Sequence, residues 1–238
     1  MINIDLISKK VLDYRVVFLF FLFLFTIVTL LFVPNLDKTP KFSKTLPTNH
    51  SYIDTFEQYK SIFGSANKVI VSIEPGNGTI FSKKSLNDLK QITEDVFYIK
   101  GIERSSVTSL FTPNVRYMEI VEDGFKGGNI ISANFSGSDK EIVDIKNKIE
   151  KSNWNGRIVA RDGSQALVVA SLQESNKNNN AIDLLAIANS LEQIREKYEK
   201  NGTKIYIIGF AKAMGDITSA TKSVILFFVI AFLLILIF

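Results

Sequence analysis

Two stretches of the chain carry no charge. Residues 16–33 read VVFLFFLFLFTIVTLLFV and residues 223–238 read SVILFFVIAFLLILIF. The first run has 18 residues, enough for a helix that spans a bilayer. Lys9, Lys10 and Arg15 precede it, as they would a signal peptide. The run outlasts the usual h-region, and FVPNLDKTP offers no small-x-small cleavage site, so an uncleaved anchor is expected. The second run has 16 residues and rises about 24 Å, short of the roughly 30 Å hydrocarbon core. No charge or aromatic belt closes it before Phe238. It reads as the start of a second span in a longer protein, of which this chain is the N-terminal part.

Between the spans the pattern alternates between helical and extended periods. After a Pro/Lys/Thr-rich linker at 34–50, residues 51–63 place Ile53, Phe56, Tyr59, Ile62 and Phe63 on one helical stripe. Ser51 with Asp54 reads as a capping box, and Gly64 as a stop. A β-branched run at 68–74 ends in Pro75-Gly76-Asn77-Gly78. Ser82 or Ser85 opens a helix to about Ile99, with Leu86, Leu89, Ile92, Val96 and Phe97 inward. An extended stretch covers 102–122. Residues 129–135 then read as a strand, and Ser138-Asp139-Lys140-Glu141 as a capping box before inward-facing Ile142, Ile145 and Ile149. Residues 157–161 and 165–172 read as a hairpin around Asp162-Gly163. A helix at 180–200 repeats Leu184, Ile187, Leu191, Ile194 and Tyr198, and a strand follows at 204–208. The order from 129 is β-α-β-β-α-β, the split βαβ or ferredoxin-like plan, and 51–107 supplies half of a second such unit. The expected fold class is two-layer α+β. The expected organisation is a stub at 1–15, a span at 16–33, the linker at 34–50, an α+β domain at 51–208, a lead-in helix at 209–222 and a second span from 223 to 238.

Composition narrows the chemistry. Lys+Arg is 28 and Asp+Glu is 24, a net +4, which is not the footprint of a nucleic-acid binder. Cys is 0 and His is 1, which removes thiolate and multi-histidine metal sites. No G-x-S-x-G, P-loop or G-x-G-x-x-G occurs, and His50 stands alone beside the linker. Gly124, Gly127 and Gly128 read as a turn or bulge, and Glu119, Glu122 and Asp123 as a solvated strand edge. The reading is therefore not an enzyme, with no catalytic, metal or cofactor residue assigned.

One pattern stands above background. Ala211, Gly215, Ser219 and Ser223 recur every four residues, a small-residue stripe that lets another helix approach closely. These four are the helix-packing and coupling candidates. Lys212 and Asp216 form an i,i+4 pair on the neighbouring face, worth about 0.2–0.5 kcal/mol if exposed.

Three stretches resemble one family. Residues 56–64 with the following VIVSIEP resemble a helix ending in Phe-Gly before a first long strand. GIERSSVTSL at 101–110 resembles a segment reading G-V-x-x-V-x-S-L. Ile208-Gly209-Phe210 through Asp216 resembles a closing strand and lead-in helix. Together they are similar to the N-terminal part of resistance-nodulation-division (RND) exporters, in the MMPL-like and hopanoid-exporter branch. The resemblance implies a proton-driven inner-membrane exporter of hydrophobic or lipid-like cargo, with residues 34–222 as an extracytoplasmic porter domain and the N-terminus cytoplasmic. Its partners would be the bilayer, the cargo, and the remaining transmembrane helices and second porter loop, with oligomerisation left open. The family's proton-relay acids lie in later helices, and neither apolar run carries a charge, so no relay residue transfers to this chain. The local charges do not fix orientation: Lys9, Lys10 and Arg15 on one side balance Lys38, Lys41 and Lys44 on the other. The alternative is a bitopic receptor whose sensor domain lies between the spans. Pro34, Pro40 and Pro47 speak against the long continuous helix such sensors usually carry.

Overall fold

The structure, a computed structural model, describes residues 12–32, 50–63, 67–122, 124–173 and 182–237. Most of the linker, Gly64, Asp123 and the Asn-rich run at 176–180 lie outside the described residues. The chain divides into two compact units, Met1–Thr39 and Pro40–Phe238. The first contains α1 (Arg15–Phe32), an apolar helix whose Thr26 and Thr29 hydroxyls bond back to Leu22 and Phe25 carbonyls at 2.8 and 2.9 Å.

The second unit is α+β. Helix α2 (Ser51–Phe63) leads to β1 (Lys68–Glu74), α3 (Lys83–Tyr98) and β2 (Ile102–Thr108). A hairpin, β3 (Arg116–Val121) and β4 (Gly124–Asn129), and helix α4 (Asp139–Glu150) follow. The domain closes with β5 (Ala166–Leu172), α5 (Leu184–Glu199) and β6 (Lys204–Gly209), which passes directly into α6 (Phe210–Ile237). Local chemistry sets the starts. Ser82 accepts the Ser85 N–H at 3.1 Å, and Asp183 accepts the Ala186 N–H at 3.0 Å. At α2 the cap is His50, not Ser51: its carbonyl accepts from Ile53 at 2.8 Å and its Nδ1 from Tyr52 at 3.3 Å.

Four strands form one antiparallel sheet in the order β2-β5-β1-β6. Val71 sits between Val168 and Ile207 in the register. Alternation sends Val69, Val71 and Ile73 of β1, and Ala166, Val168, Ala170 and Leu172 of β5, to one buried face. There they join Leu86, Leu89, Ile92 and Val96 of α3 and Ile187 and Leu191 of α5 in a single core. Tyr198 of α5 reaches across to α3, its hydroxyl donating to Asp95 Oδ2 at 2.9 Å, and burial pushes its phenol up to about 12.

The strands of this sheet differ from those the sequence pattern picks out. Residues 130–135 are not a strand. Ile130 and Ile131 are both buried, which an alternating strand on one face of a sheet does not allow, and the chain turns there. Residues 157–161 give only isolated bridges, because the Trp154 carbonyl gathers the N–H groups of Arg157, Ile158 and Val159 into a tight turn. The first half of the sheet comes instead from β1-α3-β2, the segment assigned to a second unit. Among the described residues the four strands form one sheet, and the β3–β4 hairpin with α4 is an insertion between its second and third strands. Gly124, Gly127 and Gly128 lie within β4, and Glu119 of β3 is tied to Lys151 Nζ at 2.8 Å.

The lead-in helix and second apolar run form one continuous helix of 28 residues. Its segment Phe210–Leu234 is long and apolar enough to cross a membrane. It is the one helix among the described residues that meets that length and composition.

The loop before α4 is tied down by the Glu141 carboxylate. Ser138 Oγ accepts from the Glu141 N–H at 3.4 Å, half of the expected capping box. The Glu141 carboxylate reaches further back, accepting from the Ser136 N–H at 2.9 Å, the Ser136 hydroxyl at 2.8 Å and the Gly137 N–H at 3.1 Å. These donors, the Ser136 N–H first, hold its pKa below the ordinary glutamate value. A depressed folded-state pKa gives stability that is present above the unfolded value and lost as pH falls through the folded one. Glu141→Gln should therefore melt below the wild type at neutral pH, with the gap closing on acidification. A gap in Tm that stays constant across that range would contradict this assignment.

Candidate functional site: the seam between the last two helices

The corner into α6 is built on Gly209, whose φ of +139° suits glycine. A Cβ there would also overlap the Lys68 carbonyl oxygen of the neighbouring strand and stand 3.1 Å from Val69 Cα. The strand can therefore turn into the helix without a loop.

Immediately beyond, α6 docks on α5. Ala211 is fully buried and Met214 packs on the core. Gly215 lies so close to Ala188 that an added Cβ would overlap the alanine methyl. One turn earlier on α6, Lys212 Nζ meets Glu192 Oε1 at 2.7 Å. Lys212 also pairs with Asp216, and Glu192 with Arg195. The four side chains form a chain of alternating sign, Arg195, Glu192, Lys212 and Asp216, strung across the seam. Advancing from Lys212 to Gly215 on α6 moves from Glu192 back to Ala188 on α5, so the two helices run antiparallel.

The four stripe residues divide here. Ala211 and Gly215 form the seam. Ser219 and Ser223 are exposed, and the Ser223 hydroxyl bonds back to the Ser219 carbonyl at 3.3 Å. Lys212 departs from its expected place on an exposed face: its side chain is only 12% exposed, because α5 supplies a second carboxylate. The pattern of α5 pointed to Leu184, Ile187, Leu191, Ile194 and Tyr198, its sheet-facing residues. It passed over Ala188 and Glu192, four apart on the adjacent face. The available signal was their match in kind to Gly215 and Lys212, a small residue against a small one and an acid against a base.

Elsewhere, His50 is exposed and stacks on Tyr52 with ring centroids 5.4 Å apart. No group of three His, Cys, Asp or Glu side chains converges among the described residues. A groove of about 510 Å³ runs between α3 and α5, past Asp95, Tyr98, Lys100, Ala186, Ser190 and Lys197. A cleft of about 550 Å³ lies beside Phe97, Phe111 and Phe135. The deepest hydroxyl at that cleft, on Thr93, is already bonded to Ser109 at 2.7 Å. The seam is a close helix–helix contact, with its charges held in ion pairs and its closest approach set by the missing side chain of Gly215.

The seam predicts a compensating pair of substitutions. Gly215→Ala alone should destabilise the full chain by about 1–3 kcal/mol through overpacking. Gly215→Ala with Ala188→Gly exchanges the two methyl positions and should recover most of that loss in thermal melts. A double variant no more stable than Gly215→Ala would show that the two residues do not share the space. No protein-family model matches the chain, and no curated protein matches it.

Proposed function

We propose that this chain is the N-terminal, domain-bearing part of a proton-driven RND-type exporter of hydrophobic or lipid-like compounds. In this reading the α+β unit is an extracytoplasmic porter domain of ferredoxin-like plan, anchored in the inner membrane through α6. The N-terminus lies in the cytoplasm and α1 forms the first span. The sheet order, with β1-α3-β2 and β5-α5-β6 as its two halves, supports the ferredoxin-like assignment. The observation that carries the functional reading is the passage of β6 into α6 without a loop, with α6 clamped to α5 before its apolar part begins.

Such a connection suits a domain whose movement must reach the bilayer. A strand or helix shift in the α+β unit would move α6 directly, whereas a flexible linker would absorb it. Later transmembrane helices of the complete gene product would supply the proton relay, and the present chain the moving external lobe.

The test is retention of a lipophilic fluorophore in cells making the complete gene product. Deleting the gene should raise retention, and a protonophore should abolish the difference. Gly215→Leu should raise retention beyond what its lowered abundance explains, because a bulky side chain parts α6 from α5. Retention unaffected by the deletion would overturn the exporter reading.

A further inference from the structure

The antiparallel seam fixes which end of the domain meets the bilayer if α6 crosses it, and this inference rests on that part of the reading above. Gly215 is level with Ala188, so Leu184, the first residue of α5, is level with Ser219. The uncharged run begins at Ser223, four residues on, about 6 Å along the axis. The end of the domain near the start of α5 therefore stands in the headgroup zone.

The register identifies what else lies at that end. Gly209 pairs with Val69, at the start of β1, and Ile102 at the start of β2 pairs with Leu172 at the end of β5. Helix α3 descends to this end and finishes at Tyr98. The following turn is wedged against α5: a Cβ on Gly101 would stand 2.9 Å from both Ile182 and Ile187.

Among the described residues, exposed cations at this rim include Lys68 at the start of β1, Lys100, Arg104 and, on α6 just before the apolar run, Lys222. None makes an ion pair among the described residues. Arg104 is held in place by ring faces, its Cζ 5.6 Å from the Phe97 centroid and 5.8 Å from that of Tyr98. Tyr98 is 69% exposed. The acids of the same rim are engaged locally. Glu103 accepts from the Ser105 hydroxyl at 2.8 Å, and Asp183 caps α5. Lys204, at the opposite end of the sheet, does have an acidic partner in Glu74.

We infer that this rim is a lipid-contact surface, on which Lys100, Arg104 and Lys222 hold anionic phospholipid headgroups and Tyr98 lies at the interface. Unpaired cations at the end of the domain that faces the apolar run can meet the phosphates of anionic lipids, and exposed tyrosines are favoured in the same interfacial zone. Contact there would fix the tilt of the domain, and the α5–α6 seam would keep that tilt in step with the membrane helix.

The full chain can be placed in lipid discs of phosphatidylcholine alone or of phosphatidylcholine mixed equally with phosphatidylglycerol. Hydrogen exchange over residues 98–104 is the readout, and resistance to carbonate extraction from matching vesicles tests whether the chain is integral. Exchange should slow several-fold in the anionic discs. Raised salt and the Lys100→Glu/Arg104→Glu variant should abolish the effect, while Lys200→Glu at the far end of α5 should leave it intact. Equal exchange in both discs, with the chain resisting extraction, would overturn the lipid-contact surface and leave the membrane anchor standing. A chain extracted by carbonate would overturn the anchor and the inference together.

Discussion

The architecture of the second unit depends on how closely α6 can approach α5. Gly215 and Ala188 meet where any larger side chain would hold the helices apart. That approach brings Lys212 within 2.7 Å of Glu192 and buries most of its side chain between two carboxylates. It also buries Ala211 completely, making the first turn of α6 part of the domain core. Dispersion across such a contact falls steeply with separation, so a small widening removes packing along the whole seam. The charged chain from Arg195 to Asp216 depends on the same spacing. Parting the seam would leave Glu192 without its cation from α6 in a half-buried position, which costs more than losing an exposed pair.

The sheet provides the rigid base for this joint. β1 and β5 are its central strands, and their inward residues are packed by α3 and α5. Strand β6 pairs with β1 along its length and delivers the chain to Gly209, the corner that only a residue without a Cβ can turn here. Helix α5 packs on the sheet with one face and on α6 with another. Displacement of α5 relative to the sheet therefore bears directly on α6, and the thermodynamic connection runs through packed side chains and not through a tether. An exporter of the proposed kind needs such a connection.

Much of the fold was legible from residue pattern. The boundaries of α2 and β1, the cap at Ser82 and the sheet-facing stripe of α5 follow from helical or alternating periodicity next to polar stops. The pairing of strands was less legible, because periodicity tells what a segment is and not which segment it joins. Ile130 and Ile131 illustrate this: two adjacent apolar residues resemble a strand in sequence, yet both enter the core from a turn. At the seam, the small-residue spacing puts Ala211 and Gly215 on one helical face, and both are buried. Ser219 and Ser223 share that spacing but are exposed, Ser219 level with the first residue of α5 and Ser223 a turn beyond it, and spacing alone gives them no partner. The burial of Lys212 depends on Glu192, a residue twenty positions earlier on another helix, and no local pattern in α6 carries that information.

The central claim is that α6 leaves the domain as one stiff element, continuous from the seam into its apolar part. Hydrogen exchange across residues 211–222 of the full chain in lipid discs tests this most directly. The account predicts slow exchange through the whole segment, comparable with that of α5, because the helix is unbroken and its first turns are buried. Fast exchange over residues 216–222, with α5 still protected, would mean a flexible hinge between the domain and the apolar part of α6 and would contradict the account.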